Sequence, residues 1–91
     1  MVSIATFAPK TMTLTQYADI VRRLEQNGAG APAGRLYHNW YSQAGQLKVT
    51  EIWESRERFE QFHKVREPLL RQMGSNAKEF IAAPAYKFAH A

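Results

Sequence analysis

Cysteine is absent from this sequence of 91 residues, and histidine occurs three times. The absence of cysteine excludes disulfides and thiolate metal sites, and no two histidines have the spacing of a metal-ligand pair. Residues 1–9 contain no basic segment followed by a long apolar run, so neither a signal peptide nor a membrane span is expected. The sequence therefore predicts a cytoplasmic protein that holds no metal and has no membrane partner.

Charge of one sign is also not concentrated anywhere. The net charge is +4 and the pI is near 9.7, values that suggest nucleic-acid binding. However, acidic and basic residues alternate along 56–71, where Glu60–Lys64 and Glu67–Arg71 have the i,i+4 spacing of helical ion pairs. A nucleic-acid surface needs clustered positive charge, so no nucleic-acid partner is predicted.

Apolar and aromatic residues are plentiful, at 45% and 12% of the chain. That composition is typical of a folded core and not of a disordered segment. The length fits a single domain spanning residues 1–91. A domain this small buries only somewhat over ~60% of its unfolded-chain surface, so association with a second copy would help to stabilise it.

The pattern of apolar residues and turn signals predicts six elements. Strands are expected at Val2–Ala8, Arg35–Ser42, Gln46–Glu54 and Lys78–Phe88, the last at a sheet edge because it contains Pro84. One helix begins after Thr13, which forms a capping box with Gln16, and ends at Asn27-Gly28. The other begins after Ser55 and ends at Gly74, with a kink or restart at Pro68. This order is the ferredoxin-like βαββαβ arrangement, an α+β fold with an antiparallel four-stranded sheet.

The hairpin tip at Ala44-Gly45 predicts the register of the two central strands. Ser42 should lie opposite Leu47, and the next pairs are Trp40 with Val49, His38 with Glu51 and Leu36 with Trp53. One face then carries Leu36, His38, Trp40, Leu47, Val49, Glu51 and Trp53, and the other carries Tyr37, Asn39, Tyr41, Lys48, Thr50 and Ile52. Because both faces hold large apolar residues, both must be covered. Helices cover one face, and a second copy of the chain is expected on the other.

The chain resembles the dimeric α+β barrel proteins, and most closely the antibiotic-biosynthesis-monooxygenase-like domains. The resemblance is strongest in residues 49–55, Val-Thr-Glu-Ile-Trp-Glu-Ser, followed by Phe59 and Phe62. Pro68 and the segment Ala83-Pro84-Ala85-Tyr86 also match, although relatives often have His at the place of Tyr86. The resemblance implies a homodimer with an apolar cavity between the sheet and the helices.

Two chemistries are implied by this resemblance. The first is cofactor-free oxidation of an aromatic, quinone-like small molecule. The second is haem degradation, for which such enzymes use an Asn on the first strand and a Trp and a His on the second helix. Here Val2–Ala8 contains no Asn, Phe62 stands at the Trp place, and His63 lies one residue further on. We therefore expect the cofactor-free reaction, with no haem, flavin or metal.

His38 and Glu51 are the candidate catalytic pair. As cross-strand neighbours on an otherwise apolar face, they would form a carboxylate-oriented base that removes a phenolic proton, with the pKa of His38 raised by Glu51. A purely structural polar pair is the alternative. The candidate substrate-binding residues are Trp40, Trp53, Phe62, Arg66 and Tyr86. For these the alternatives are core packing, an Arg66 stem that carries its charge to solvent, and a Tyr86 at a wet strand edge.

A function in a different class also fits the sequence. A non-catalytic dimeric module that binds a small apolar ligand, or that only mediates association, would need the same aromatic residues and the same two-sided sheet. Turnover of polyphenols under air would separate the two functions.

Overall fold

The computed structural model describes residues 2–76, 80 and 88–90. Its elements are strands β1 (Ser3–Phe7), β2 (Arg35–Gln43), β3 (Gln46–Trp53) and β4 (Phe88–His90), and helices α1 (Leu14–Gln26) and α2 (Arg56–Gln72). None of the helices in this part of the chain is long and apolar enough to span a membrane.

The three longer strands form an antiparallel sheet in the order β2-β3-β1. At the β2-β3 hairpin, Ala44 and Gly45 have φ values of 53° and 77°. Two positive φ values are typical of a type I′ turn, whose twist matches that of the strands it joins. This turn sets the pairs Ser42–Leu47, Trp40–Val49 and His38–Glu51, as predicted.

The register changes before it reaches the start of β2. An irregularity between Arg35 and Tyr37 makes Arg35, and not Leu36, the partner of Trp53. The prediction for Leu36 was therefore wrong, because a β-bulge places one extra residue on one strand and interrupts the alternation. Leu36 is 59% exposed, while Arg35 takes the position that faces the helices.

Both helices begin and end as their signals predict. The Thr13 side chain accepts a hydrogen bond from the Gln16 backbone, and the Gln16 side chain accepts one from Thr13. At the end of α2, Gly74 has a φ of 74°, and Ser75 donates its backbone N–H to the Leu70 carbonyl, as in a Schellman motif. The helix continues through Pro68, so the restart predicted there is not observed.

The two helices pack on the same face of the sheet. Tyr17 of α1 meets Trp40 edge-on at a centroid distance of 6.0 Å, and Phe59 of α2 contacts Phe7 and Trp53 at 5.8 and 5.9 Å. The strand residues buried beneath them are Ser3, Ala5, Phe7, Leu47, Val49, Glu51 and Trp53. The opposite face has no covering layer within the described residues, and its Tyr37 and Tyr41 are nearly half exposed.

Strand β4 contains three residues and pairs antiparallel with β1, with Ala5 opposite Phe88 and Ser3 opposite His90. The last strand was predicted at Lys78–Phe88. Apart from Phe80 and Phe88, that range lies outside the described residues, and so do Pro84 and Tyr86. The strand order β2-β3-β1-β4 and the two helices are consistent with a ferredoxin-like fold.

Candidate functional site

A buried ion pair lies at the centre of the face that the helices cover. Arg66 Nη1 donates to Glu51 Oε2 at 2.9 Å, and Nη2 donates to Oε1 at 3.3 Å. Both side chains are completely buried. Arg66 therefore does not carry its charge to solvent along an extended stem, which was one of its predicted alternatives. It neutralises a carboxylate inside the core, as burial of a charge requires.

The local sequence explains how the two charges meet. Glu51 replaces an apolar residue in the buried alternation of Leu47, Val49 and Trp53. Arg66 replaces one in the buried stripe of α2, between Phe62 and Leu70. A single charge at a buried position of a strand, with the opposite charge at a buried position of the next helix, indicates a buried ion pair. This pair was not predicted from the sequence.

Arg35 is a second cation at the same carboxylate. Its Nη1 lies 3.3 Å from Glu51 Oε2, and its Nη2 donates to the Gly30 carbonyl at 2.9 Å. The guanidinium also lies 5.1 Å from the centre of the Phe62 ring. Arg35 was not predicted as a site residue, because its inward position depends on the bulge beside Leu36. The alternation of apolar and polar residues along the strand does not reveal that bulge.

His38 and Glu51 lie on the same face, as predicted, but they are not the closest pair. His38 Nε2 is 3.8 Å from Glu51 Oε2 and 2.8 Å from the Tyr17 hydroxyl. Arg66 Nη1 donates to that hydroxyl at 3.1 Å, so the tyrosine has its own proton available for Nε2. This chain of donors assigns the proton of neutral His38 to Nδ1.

The ionisation of these groups differs from the sequence-based expectation. Burial lowers the pKa of His38 to about 4; Glu51 acts in the opposite direction, and Arg35 and Arg66 also lower it. The predicted rise was therefore wrong, because burial of the imidazole outweighs the effect of the Glu51 charge. Burial also raises the pKa of Tyr17 to about 12. For Glu51, burial alone would raise the pKa, but Arg66 and its hydrogen bonds hold it below the usual value.

The remaining predicted binding residues occupy different positions around this cluster. Trp40 is partly buried and lies 4.9 Å from His38 between ring centres. Trp53 is fully buried and packs on Phe62 at 5.5 Å. Tyr86 lies outside the described residues. Within the described part of the chain, three buried side-chain nitrogens have no hydrogen-bond partner: Trp53 Nε1, Arg66 Nε and, away from this cluster's carboxylate, His63 Nδ1.

Two surface depressions are lined by described residues. One, of about 190 Å³, lies at the uncovered sheet face beside Thr6, Tyr41, Lys48 and Thr50. The other, of about 320 Å³, lies between the loop 28–33 and α2, and its lining includes Arg58, Phe62 and Val65. Neither lining includes His38, Glu51 or Arg66. Phe62 is the one predicted binding residue that either lining contains.

Metal-ligating side chains do not cluster in the described residues: no group of three or more His, Asp or Glu side chains is arranged to hold an ion there. His63 lies 3.5 Å from Glu67 on the next turn of α2 and stacks on Phe59. Burial and the nearby Arg66 lower its pKa. His63 thus has a local structural partner.

Comparison with known proteins supports the fold. No protein-family model matches the chain, and no curated protein matches it. A solved structure, that of Rv0793 from Mycobacterium tuberculosis, is similar with a TM-score of 0.54 and 17% sequence identity. The alignment covers 99% of this chain and 92% of that one. At this identity the similarity shows a shared small α+β fold.

Proposed function

We propose that residues 1–91 form one domain of a homodimeric α+β barrel that oxidises an aromatic, quinone-like small molecule with O₂ and no bound cofactor. The observation that carries the proposal is the buried cluster of Tyr17, His38, Glu51 and Arg66 among aromatic rings. Polar groups of this kind inside an apolar site fix the orientation of an aromatic ligand. The family resemblance supports the same reaction class.

The reaction balances without a further reductant. A ring CH₂ that is conjugated with a carbonyl group loses a proton to give a carbanion or enolate, which reacts with O₂. One oxygen atom becomes the new ring carbonyl and the other leaves as water, so the carbon loses four electrons and O₂ gains them. The protein has to bind the substrate, remove the first proton and stabilise the anion.

His38 is the proposed proton acceptor, and Glu51 is the counter-charge for its protonated form. A histidine with a pKa of about 4 is a weak base in the empty protein. The substrate anion formed in this step adds negative charge beside the protonated imidazole and so stabilises it. In this proposal Trp40 stacks on the substrate, and Trp53 and Phe62 support the site from behind. A hydrogen bond from Tyr86 to the substrate remains a prediction.

The homodimer is proposed from the uncovered sheet face. Tyr37 and Tyr41 expose 47% and 43% of their surface on that face, and Ile52 lies on the same side. A contiguous exposed patch with such residues is typical of a protein interface. A second copy that packs its own sheet there would close the barrel.

Anthrone is a suitable probe because its CH₂ becomes the second carbonyl of anthraquinone in the reaction described. Aerobic turnover is expected for the wild-type protein, and His38→Gln should lower it by roughly a hundredfold while the fold is retained. His63→Gln is the matched control and should leave the rate within twofold. If wild-type protein does not accelerate anthrone oxidation above the buffer rate, or if His38→Gln is fully active, the proposed reaction is wrong.

A non-catalytic dimeric module that binds a small ligand is the second candidate. The observation that favours it is that Arg66 already donates hydrogen bonds to Tyr17 and Glu51 inside the protein. In that case anthrone or naphthohydroquinone would bind without turnover. Equal binding under air and under nitrogen, with no product, would support this candidate.

A further inference from the structure

We infer that the cluster on the helix-covered face favours negatively charged aromatic ligands over neutral ones, so that it binds an aromatic carboxylate and stabilises the phenolate or enolate form of a substrate. The inference rests on the proposed function in that it uses the same site. It concerns the charge of the ligand and not its oxidation, so an experiment can contradict this inference without contradicting the proposed reaction, and the reverse.

The first observation is an excess of positive charge. Arg35 and Arg66 both contact Glu51, at 3.3 and 2.9 Å. Several described groups influence the charges of Arg35 and Arg66, and Glu51 is the carboxylate among those with the largest effect. Tyr17 and His38 are neutral near pH 7, because burial moves their pKa values to about 12 and about 4. Among the described residues, two cations and one anion leave one positive charge uncompensated, and buried charges are normally paired.

The second observation is that hydrogen-bond donors also exceed acceptors. Arg66 Nε and Trp53 Nε1 are buried with no acceptor among the described residues. Both side chains are fully buried, and both pack against Phe62. A buried donor without an acceptor is costly and uncommon in proteins. Excess donors together with excess positive charge indicate a ligand that brings an acceptor and a negative charge.

The third observation is access from the edge of the sheet. Strand β2 is the outer strand, and the side chains of Arg35 and His38 each retain 9% exposure there. Glu51 and Arg66 behind them have none. The partly buried Trp40 ring lies beside His38. A ligand that enters at this edge meets an aromatic ring, a guanidinium and an imidazole, which together suit an aromatic oxyanion.

Naphthoate and naphthamide provide a matched pair of probes, because they have nearly the same shape and differ in charge. Isothermal titration calorimetry with wild-type protein should show naphthoate binding at least about tenfold more tightly than naphthamide, as expected for a charge-assisted hydrogen bond. Arg35→Met should remove this preference and leave naphthamide binding unchanged, which also reports that the variant is folded. Arg35→Lys should retain most of the preference.

Arg58→Met is the control for the general positive charge of the protein, because Arg58 is exposed and lines the depression near loop 28–33. It should leave the preference unchanged. Equal affinity for the two probes, absence of naphthoate binding, or an equal loss in Arg58→Met and Arg35→Met would overturn the inference. Naphthoate binding without anthrone oxidation would refute the proposed reaction and support the anion site. Anthrone oxidation without a preference for naphthoate over naphthamide would support the proposed reaction and refute the anion site.

Discussion

Arg66 and Glu51, one on α2 and one on β3, are joined by two hydrogen bonds of 2.9 and 3.3 Å and are both completely buried. Desolvation of two charges costs several kcal/mol, so such a pair adds little stability compared with apolar residues of the same volume. Removal of only one of the two side chains has a larger effect, because the charge of the other is then left in the core without a partner.

Removal of one partner should therefore be strongly destabilising. Glu51→Gln leaves Arg35 and Arg66 without their carboxylate and should lower the free energy of unfolding by about 3–5 kcal/mol. Urea unfolding followed by tryptophan fluorescence measures this loss. Glu57→Gln, at the exposed start of α2, is the control and should change stability by less than about 0.5 kcal/mol. A loss this small for Glu51→Gln would mean that the pair is not buried as described.

Much of this cluster can be predicted from the sequence, and the hairpin shows why. The Ala44-Gly45 turn fixes the register, and the register puts His38 and Glu51 on one face. Local signals of this kind also place Thr13 and Ser55 as helix caps. The tertiary contacts of the cluster are harder to predict from the sequence. Tyr17 is one of the buried residues of α1, and nothing in the sequence around it indicates that its hydroxyl reaches across the core to His38.

Arg35 shows a second limit. Its inward position depends on a bulge one residue away, and a one-residue change of register exchanges the two faces of a strand. The wrong direction for the pKa of His38 has a different cause. Glu51 does favour the protonated imidazole, but burial of the ring lowers the pKa by more, and the two guanidinium groups lower it as well.

Titration of His38 is the next prediction. Its pKa in the folded protein is about 4, compared with an ordinary value of 6.5. Protonation therefore favours the unfolded chain, so this contribution to stability is present above pH 6.5 and is lost as the pH falls towards 4. The loss should be on the order of 3 kcal/mol. NMR of the imidazole Cε1 proton measures the pKa directly.

Other groups titrate in the same direction, so variants are needed to isolate His38. Glu51 and His63 also have lowered pKa values, and both contribute stability that is lost in acid. His38→Gln should reduce the slope of stability against pH between 6.5 and 4, and His63→Gln should reduce it less. A His38 that titrates near or above 6.5 would contradict the described environment.

The Tyr17 hydroxyl should determine the tautomer of His38. Because Tyr17 accepts from Arg66 and donates to His38 Nε2, nitrogen chemical shifts should show the proton on Nδ1 near neutral pH. Tyr17→Phe should remove that preference and lower stability by about 1–2 kcal/mol, because it leaves polar partners unsatisfied. Tyr41→Phe, on the uncovered face, should change neither the tautomer of His38 nor the stability of the protein. A proton on Nε2 in the wild-type protein would disprove the assigned direction of the hydrogen bonds.

The last prediction is the homodimer through the uncovered sheet face. Light scattering after gel filtration should give twice the monomer mass at micromolar concentration. Replacement of both Tyr37 and Tyr41 by Lys should weaken association by at least about a hundredfold, because two charges would be buried without partners at an apolar interface. Leu14→Lys is the control, since Leu14 is 37% exposed on α1, and this variant should remain a dimer. A monomer mass for the wild-type protein would reject this interface and the barrel.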